Sequence, residues 1–266
     1  MFADLHLHSS CSDGRLSPEE LMDTVADAGI ELVALTDHDS TAGLALAAQR
    51  AEERGLRFVT GIEMTTFCGD EVVHVLGYGF DPFDVVLQTT NAVAQQVWGD
   101  NQRLWVAALH AQDYDVVYDR DFADGPARLP VLIERLCRRG VAEGDAATCL
   151  ALFRAFSAAL PSSGYERLAA PAQAAKVLRA ASGIAFLAHP YSLKKPGLID
   201  ELLRDCDGLE ALYARYNDEQ QAALVALSHS AGKLLSAGSD YHGYFEGQYR
   251  NPRFRLPTET LQRLQA

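Results

Sequence analysis

The chain has 266 residues, 48% of them hydrophobic, enough for one large α/β core or for a core domain carrying an insert. With 23 basic against 36 acidic side chains the formal charge is −13, which argues against tight, sequence-independent binding to long nucleic acid. A small anionic substrate stays open if bound cations reverse the local field.

The N-terminus, Met1-Phe2-Ala3-Asp4, has no basic segment followed by an apolar one as a secretory signal would, and Phe2 to Leu7 reads as a first strand. Ser17-Pro18-Glu19-Glu20 then supplies an N-cap, a proline at the first helical position and a capping-box glutamate for a helix that Gly29 closes. Strands follow at Ile30 to Leu35, Arg57 to Ile62 and Val72 to Leu76, with a helix at Thr41 to Arg54 and Gly55 behind it. This is the β-α-β-α pattern of a parallel sheet or barrel. Between residues 81 and 167 the character changes to Ala-, Leu- and Gln-rich segments such as Val93 to Ala111 and Val131 to Ala159, which reads as a helical insert. Alternation returns with a helix at Pro171 to Ala181, a strand at Ile184 to Ala188, a helix at Leu198 to Cys206 and a strand at Leu209 to Tyr213. A helix at Asp218 to Ala231 and a strand at Lys233 to Ser236 complete the pattern, so residues 1–80 and 168–266 build one core around the insert. No apolar run approaches the ~20 residues that span a bilayer. Cys11, Cys68, Cys137, Cys149 and Cys206 form no C-x-x-C pair, and their scatter fits reduced thiols in a soluble cytoplasmic protein with no membrane partner.

The residues that carry chemistry sit at strand exits. In Asp4-Leu5-His6-Leu7-His8 the strand period of two sets both imidazoles on one face, where they can close on one ion. Ser12-Asp13-Gly14 is a turn able to aim a carboxylate back toward that strand end, although Asp-Gly is also an ordinary turn. The strand ending at Leu35 runs into Thr36-Asp37-His38-Asp39, where Asp37 and Asp39 are placed to orient His38. Glu63 follows Gly61-Ile62, and a carboxylate, unlike an imidazole nitrogen, can bridge two ions. His74 lies inside Val72-Val73-His74-Val75-Leu76, where a core or surface histidine would look the same. His189 precedes Pro190 after an apolar strand, and Ser239-Asp240-Tyr241-His242 offers a carboxylate and an imidazole two residues apart. Six of the eight histidines thus fall in or just after strands, whereas His110 and His229 sit in helical Ala/Leu contexts and read as structural.

Together, His6-x-His8, Ser12-Asp13-Gly14, Thr36-Asp37-His38-Asp39, Gly61-Ile62-Glu63, His74 before Leu76-Gly77-Tyr78, Ala188-His189-Pro190 and Ser239-Asp240-Tyr241-His242 resemble the PHP (polymerase and histidinol phosphatase) family. The resemblance implies an α/β fold, a distorted (β/α)7 barrel, with up to three metal ions at the C-terminal ends of its strands. It places His6, His8, Glu63 and Asp240 on one ion, with Glu63 bridging to a second held by His74 and His189. Asp13, His38 and His242 hold the third. The insert after His74 resembles the branch containing nucleoside 3′,5′-bisphosphate phosphatases and short-RNA 5′-exonucleases. The chain departs from that branch at Ala127-Arg128-Leu129-Pro130, where a histidine is lost, and at Tyr216, which replaces another; both are substrate-side positions.

Mixed imidazole and carboxylate ligation suits manganese, zinc or iron better than magnesium or calcium, and Mn2+ is the expected ion. Two ions ~3.5–4 Å apart can share a water, lower its pKa and present hydroxide in line with phosphorus. Glu63 and Asp240 then serve catalysis through the metal, and His242 or a bound water protonates the leaving alkoxide. Arg128, Arg215, Lys194 and Lys195 are candidates for a distal phosphate, with Arg15 behind them, although most such cations in an acidic protein are solvated surface charge. The expected activity is hydrolysis of a phosphate ester of a small nucleotide, a 3′,5′-bisphosphate or the 5′ end of short RNA. The rivals are histidinol-phosphate phosphatase and a non-catalytic module of the same family.

Overall fold

The computed structural model describes residues 1–115, 132, 151, 155–156, 159–244 and 249–264. Helix α1 (Pro18–Asp27) begins where the capping signal falls. Ser17 is extended, its hydroxyl accepts the Glu20 N–H at 3.2 Å, and the Glu20 carboxylate accepts the Ser17 N–H at 2.9 Å. Ser17→Ala removes the acceptor while leaving Pro18 to set the first turn. It is expected to cost about 1 kcal/mol, seen as a lower urea midpoint with an unchanged slope, and a midpoint equal to wild type would show the cap to be idle.

Around α1 the chain lays down β1 (Ala3–Asp4), β2 (Leu32–Leu35), α2 (Leu44–Glu53), β3 (Arg57–Cys68), β4 (Glu71–Tyr78) and the long α3 (Val85–His110). It continues with α4 (Pro171–Ala180), β5 (Ile184–Leu187), α5 (Ile199–Asp205), β6 (Gly208–Tyr213), α6 (Asp218–Ala231), β7 (Leu234–Gly238) and α7 (Thr258–Arg263). Among the described residues, the seven strands form one sheet in chain order. It curls until its ends meet: the Leu5 N–H donates to Ala237 O at 2.9 Å, and Leu7 bridges Tyr241. Tyr78 also spans the space within, its hydroxyl donating to Leu5 O at 3.0 Å. The molecule is therefore of the α/β class, a mixed seven-stranded sheet nearly closed into a barrel.

Uniform parallel alternation fails in one place. β1, β2 and β3 are parallel neighbours, as are β5, β6 and β7, but β4 is antiparallel to both β3 and β5. β3 does not stop at Ile62 but runs to Cys68, and Gly69 (φ 67°) and Asp70 turn it straight into β4. Two residues hold a hairpin and leave no room for a crossover helix. β1 is shorter than the sequence pattern because its edge bonds pass to side chains: the Leu7 N–H goes to Thr36 Oγ1 at 3.0 Å.

Strand residues alternate between the interior of the barrel and the helices outside it. Val33 and Leu35 face outward to Leu21, Met22, Val25, Ala47 and Ala174 of α1, α2 and α4. Leu32 and Ala34 face inward to meet Leu5, Leu76, Tyr78, Phe186 and Ala237, with Phe254 and Leu256 of the C-terminal segment joining them. The inner layer fills the barrel as a packed floor, so polar chemistry is confined to the end where the parallel strands terminate.

α3 opens at its Asp84 N-cap, ahead of the expected start at Val93, and is fastened to the returning chain by Asn101 Nδ2 to Ser163 O (3.0 Å) and Trp105 Nε1 to Pro161 O (3.1 Å). Most of the expected Val131 to Ala159 helical segment lies outside the described residues, as do Cys137 and Cys149. Cys11, Cys68 and Cys206 are free thiols. Among the described residues, no helix is long and apolar enough to cross a membrane.

Candidate metal centre

The site grows out of β1. Beyond Asp4 the backbone stays extended enough that His6 and His8 point to the same side, their Nε2 atoms 3.1 and 3.2 Å from Glu63 Oε2. The expectation drawn from strand period thus holds although the strand itself has ended. The chain then doubles back: the Gly14 N–H donates to Ser9 O at 2.8 Å, and a Cβ on Gly14 would lie 2.1 Å from His8 O. Only glycine permits that approach, which carries the Asp13 carboxylate to 3.7 Å from His8 Nδ1. Asp37 pins the same loop, accepting from Ser9 N (2.7 Å), Ser9 Oγ (2.6 Å) and Ser12 Oγ (2.6 Å). Asp39 accepts from Thr65 N and Thr65 Oγ1, both at 2.7 Å. These two carboxylates buttress the walls on either side of His38.

Glu63 is the hub. His38 Nδ1 lies 3.2 Å from Oε2, while His74 Nδ1 and His189 Nε2 lie 2.9 and 3.0 Å from Oε1. His74 reaches it across the hairpin register and His189 from the exit of β5, its Nδ1 also 2.6 Å from Ser192 Oγ. From the exit of β7, Asp240 Oδ1 stands 3.1 Å from His8 Nε2, and His242 Nε2 stands 3.4 Å from Asp13 Oδ1. Asp39, His189 and Asp240 all have positive φ (51°, 22° and 54°), a conformation non-glycine residues adopt only where surroundings hold them in it.

Among the described residues, three groups of donor atoms result, each within 4.8 Å: His6, His8, Glu63 and Asp240; His8, Asp13, His38 and His242; and His38, Glu63 and His74. The first is the set inferred from the sequence. The others share His8 and His38 between neighbouring positions, with His189 closing on Glu63 beside His74. All nine residues named from the sequence therefore meet in one pocket.

The donor set fits divalent cations. Both ring nitrogens of His8 are buried and make no hydrogen bond, although carboxylate oxygens stand 3.1 and 3.2 Å from Nε2 and 3.7 Å from Nδ1. Burial alone would raise the Glu63, Asp13 and Asp240 carboxyls. The imidazoles beside them outweigh it and hold all three well below the usual carboxylate range. Burial would likewise depress His6, yet Glu210, Glu63 and Asp240 hold it well above the ordinary value. Three buried carboxylates side by side ask for positive charge, which protons on imidazoles or divalent cations can supply.

Of the expected phosphate contacts, Arg215 lies at the site: its Nη2 donates to Asp240 O at 3.0 Å, and its guanidinium is 5.8 Å from the Tyr213 ring centroid. Lys195 Nζ is engaged with exposed Asp70 at 2.5 Å, and the Lys194 N–H is bound by Glu71 Oε1. The Arg15 N–H donates to His242 O at 2.8 Å, and Arg128 lies outside the described residues. His110 and His229 sit exposed near helix ends. Three supporting groups were not singled out from sequence. Tyr213 Oη donates to Asp240 Oδ2 at 2.7 Å. Asp4 accepts from Ser239 N, Tyr249 Oη and Asn251 Nδ2. Glu210 lies 3.0 Å from His6 Nδ1. The available signal was an acid within an apolar strand, at odds with burial unless paired.

The PHP domain profile matches residues 4–264. The chain is 32% identical over 258 residues to a 3′,5′-nucleoside bisphosphate phosphatase of Chromobacterium violaceum, covering 92% of this chain and 88% of that protein. It is 28% identical to a phosphoribosyl 1,2-cyclic phosphate 1,2-diphosphodiesterase of Eggerthella lenta, covering 97% of this chain and all of the other. Among solved structures, a Bifidobacterium adolescentis protein described as a metal-dependent phosphoesterase superposes with a TM-score of 0.85, covering 98% of this chain and 94% of that one. At 24% identity that likeness speaks to the fold.

Proposed function

Since the chain belongs to the PHP family, we propose that it is a metal-dependent phosphoesterase that removes phosphate from a small nucleotide, a nucleoside 3′,5′-bisphosphate first, in the cytoplasm. The observation that carries this reading is the convergence of six imidazoles and three carboxylates, drawn from both ends of the chain, around Glu63. His6, His8, Glu63 and Asp240 would hold one ion, Glu63 with His74 and His189 a second, and Asp13, His38 and His242 a third, manganese being the ion of choice. When bound, such cations neutralise phosphoryl oxygens and acidify water toward neutral pH for attack on phosphorus.

The chain's own groups orient the reaction. Glu63 spaces five imidazoles, and Tyr213 fixes Asp240 with Oδ1 toward His6 and His8. His242 Nδ1 faces the Asp240 carbonyl, 3.0 Å away, so that nitrogen carries the proton and Nε2 is left with a lone pair toward Asp13. With the third position filled, that nitrogen would be a ligand; with it free, the same nitrogen, once protonated against Asp13, would be placed to pass that proton to the leaving alkoxide. Arg215 offers a guanidinium at the rim for a second phosphate. α3, at the start of the expected insert, would wall the substrate side, its Gln95 Nε2 donating to Asp39 O at 2.8 Å.

The test is a panel of phosphate esters with Mn2+: a nucleoside 3′,5′-bisphosphate, 5′-phosphorylated short RNA, a cyclic ribose phosphate and histidinol phosphate. Fastest turnover of the bisphosphate is expected, and preferential turnover of histidinol phosphate would overturn the ranking. Arg215→Ala should raise KM for the bisphosphate roughly tenfold, the order of one charge-assisted hydrogen bond at a half-exposed site, with metal content unchanged. An unaltered KM would remove Arg215 from the phosphate contacts.

A further inference from the structure

We propose that Glu210 positions two metal-binding residues at once, holding the His6 imidazole in its Nδ1–H tautomer and the His189 backbone in the turn that aims its ring. The assignment rests on the metal-centre reading above and adds to it a residue that supplies no ligand. Glu210 lies on β6, wholly buried, in the apolar run Gly208–Tyr213. Its two oxygens diverge. Oε1 is 3.0 Å from His6 Nδ1, and Oε2 accepts the His189 N–H at 2.9 Å.

A carboxylate only accepts, so the proton of this pair sits on His6 Nδ1. Once the ring is neutral, Nε2 is left with its lone pair, directed to the space bounded by Glu63 Oε2 at 3.1 Å and Asp240 Oδ1 at 3.5 Å. An imidazole with the opposite tautomer would point a proton into that space and could not bind a cation there.

The second oxygen acts on geometry. His189 has φ 22° and ψ 66°, a backbone state that persists only where its surroundings impose it. Its N–H has Glu210 as acceptor, and the turn sets Nε2 at 3.0 Å from Glu63 Oε1. β7 makes room for the arrangement. A Cβ on Gly238 would lie 2.2 Å from His6 Cβ and 2.7 Å from Glu210 Oε1, so a side chain there would push apart the pair it borders. One carboxylate beneath the centre thus ties a ligand of the first ion to a ligand of the second.

Glu210→Gln separates this role from bulk, because an amide of the same shape offers one acceptor and one donor where the carboxylate offers two acceptors. With its oxygen toward the His189 N–H, its NH2 faces His6 Nδ1 and draws the ring into the Nε2–H form. Turned the other way, NH2 meets the His189 N–H head-on. The full-length chain is stripped with chelator, its histidine ring nitrogens are read by 15N NMR above the pH at which His6 sheds its second proton, and zinc is then titrated in by calorimetry.

The wild type is expected to show His6 as the Nδ1–H tautomer and to bind zinc. The variant, folded by circular dichroism, should show the other tautomer and zinc binding weakened about 10- to 100-fold, the range for groups behind a metal ligand. Wild-type zinc affinity in the variant with an unchanged His6 signal would overturn the role of Glu210 alone. A wild-type His6 carrying its proton on Nε2 would overturn it with no variant needed, so the test survives a variant that fails to fold. A wild-type chain that binds no zinc would instead sink the metal-centre reading, and the ligand-positioning role with it.

Discussion

Glu63→Gln is expected to abolish phosphoesterase activity by about a thousandfold or more, well beyond the 10–100-fold typical of groups behind the ligands, and to lower bound metal per chain. Five imidazole nitrogens lie within 3.2 Å of its two oxygens. The amide keeps the volume but loses the charge and half the lone pairs. Its NH2 must then face either His74 and His189 on one side or His6, His8 and His38 on the other. Two neighbouring ions would lose their shared anion, and each would be held chiefly by neutral imidazoles. Elemental analysis after gel filtration and steady-state rates on the preferred ester measure both losses. A variant that keeps its full metal complement and activity within tenfold of wild type would show that Glu63 is a structural partner of histidines and no bridge.

How far this centre can be read before folding depends on where each residue stands. His38, His189 and the Asp240/His242 pair were legible because each follows an apolar run and opens a polar turn, and strand ends in an α/β barrel gather at one rim, whereas Glu63, read the same way, lies inside β3, and His6 was legible from the strand period it shares with His8. His74 was not legible on that ground. It lies mid-strand on β4, whose antiparallel entry into the sheet is invisible to a pattern of apolar runs, and only the hairpin register sets it opposite Thr65 near Glu63. That hairpin was missed because Met64-Thr65-Thr66-Phe67 continues β3 through polar threonines. Thr65 and Thr66 are nevertheless buried, bound to Asp39 and to Val73 O.

Glu210 and Asp4 escaped notice for a related reason. An acid inside a strand has no local companion to mark its purpose; its partners lie up to 204 and 247 residues away in sequence, and tertiary closure alone brings them in. Lys194 and Lys195 show the converse. Sequence placed them near His189, but charge is satisfied by whatever acid is closest, and for Lys195 that is exposed Asp70.

The stabilities of the chelated and the metal-loaded chain should diverge as pH rises. Without cations, Glu63, Asp13 and Asp240 resist the upward pull of burial through neighbouring imidazoles and titrate well below their ordinary values. Groups with lowered folded-state pKa contribute stability above the unfolded carboxylate range, about 4, and lose it as pH falls further. For His6 and His189, burial depresses the imidazole, but Glu210 and Glu63 for the first, and Glu63 for the second, raise it beyond 6.5. Their contribution is complete below about 6.5 and drains away as pH climbs through the raised values. The chelated protein should therefore melt highest between about pH 4.5 and 6.5 and soften toward pH 8.

Metal binding needs the same imidazoles deprotonated, so affinity rises where the chelated protein weakens. Each displaced proton is worth about 1.4 kcal/mol per pH unit, and two histidines would widen the gap between loaded and chelated stability by up to about 2.7 kcal/mol per unit. At roughly 2–4 °C per kcal/mol for a chain of this size, the separation in melting temperature should grow by about 5 °C or more from pH 6.5 to 7.5. Calorimetry in EDTA and in excess Mn2+ across that interval reads it directly. A separation that stays constant with pH would mean that His6 and His189 give up no proton on metal binding and so are not its ligands.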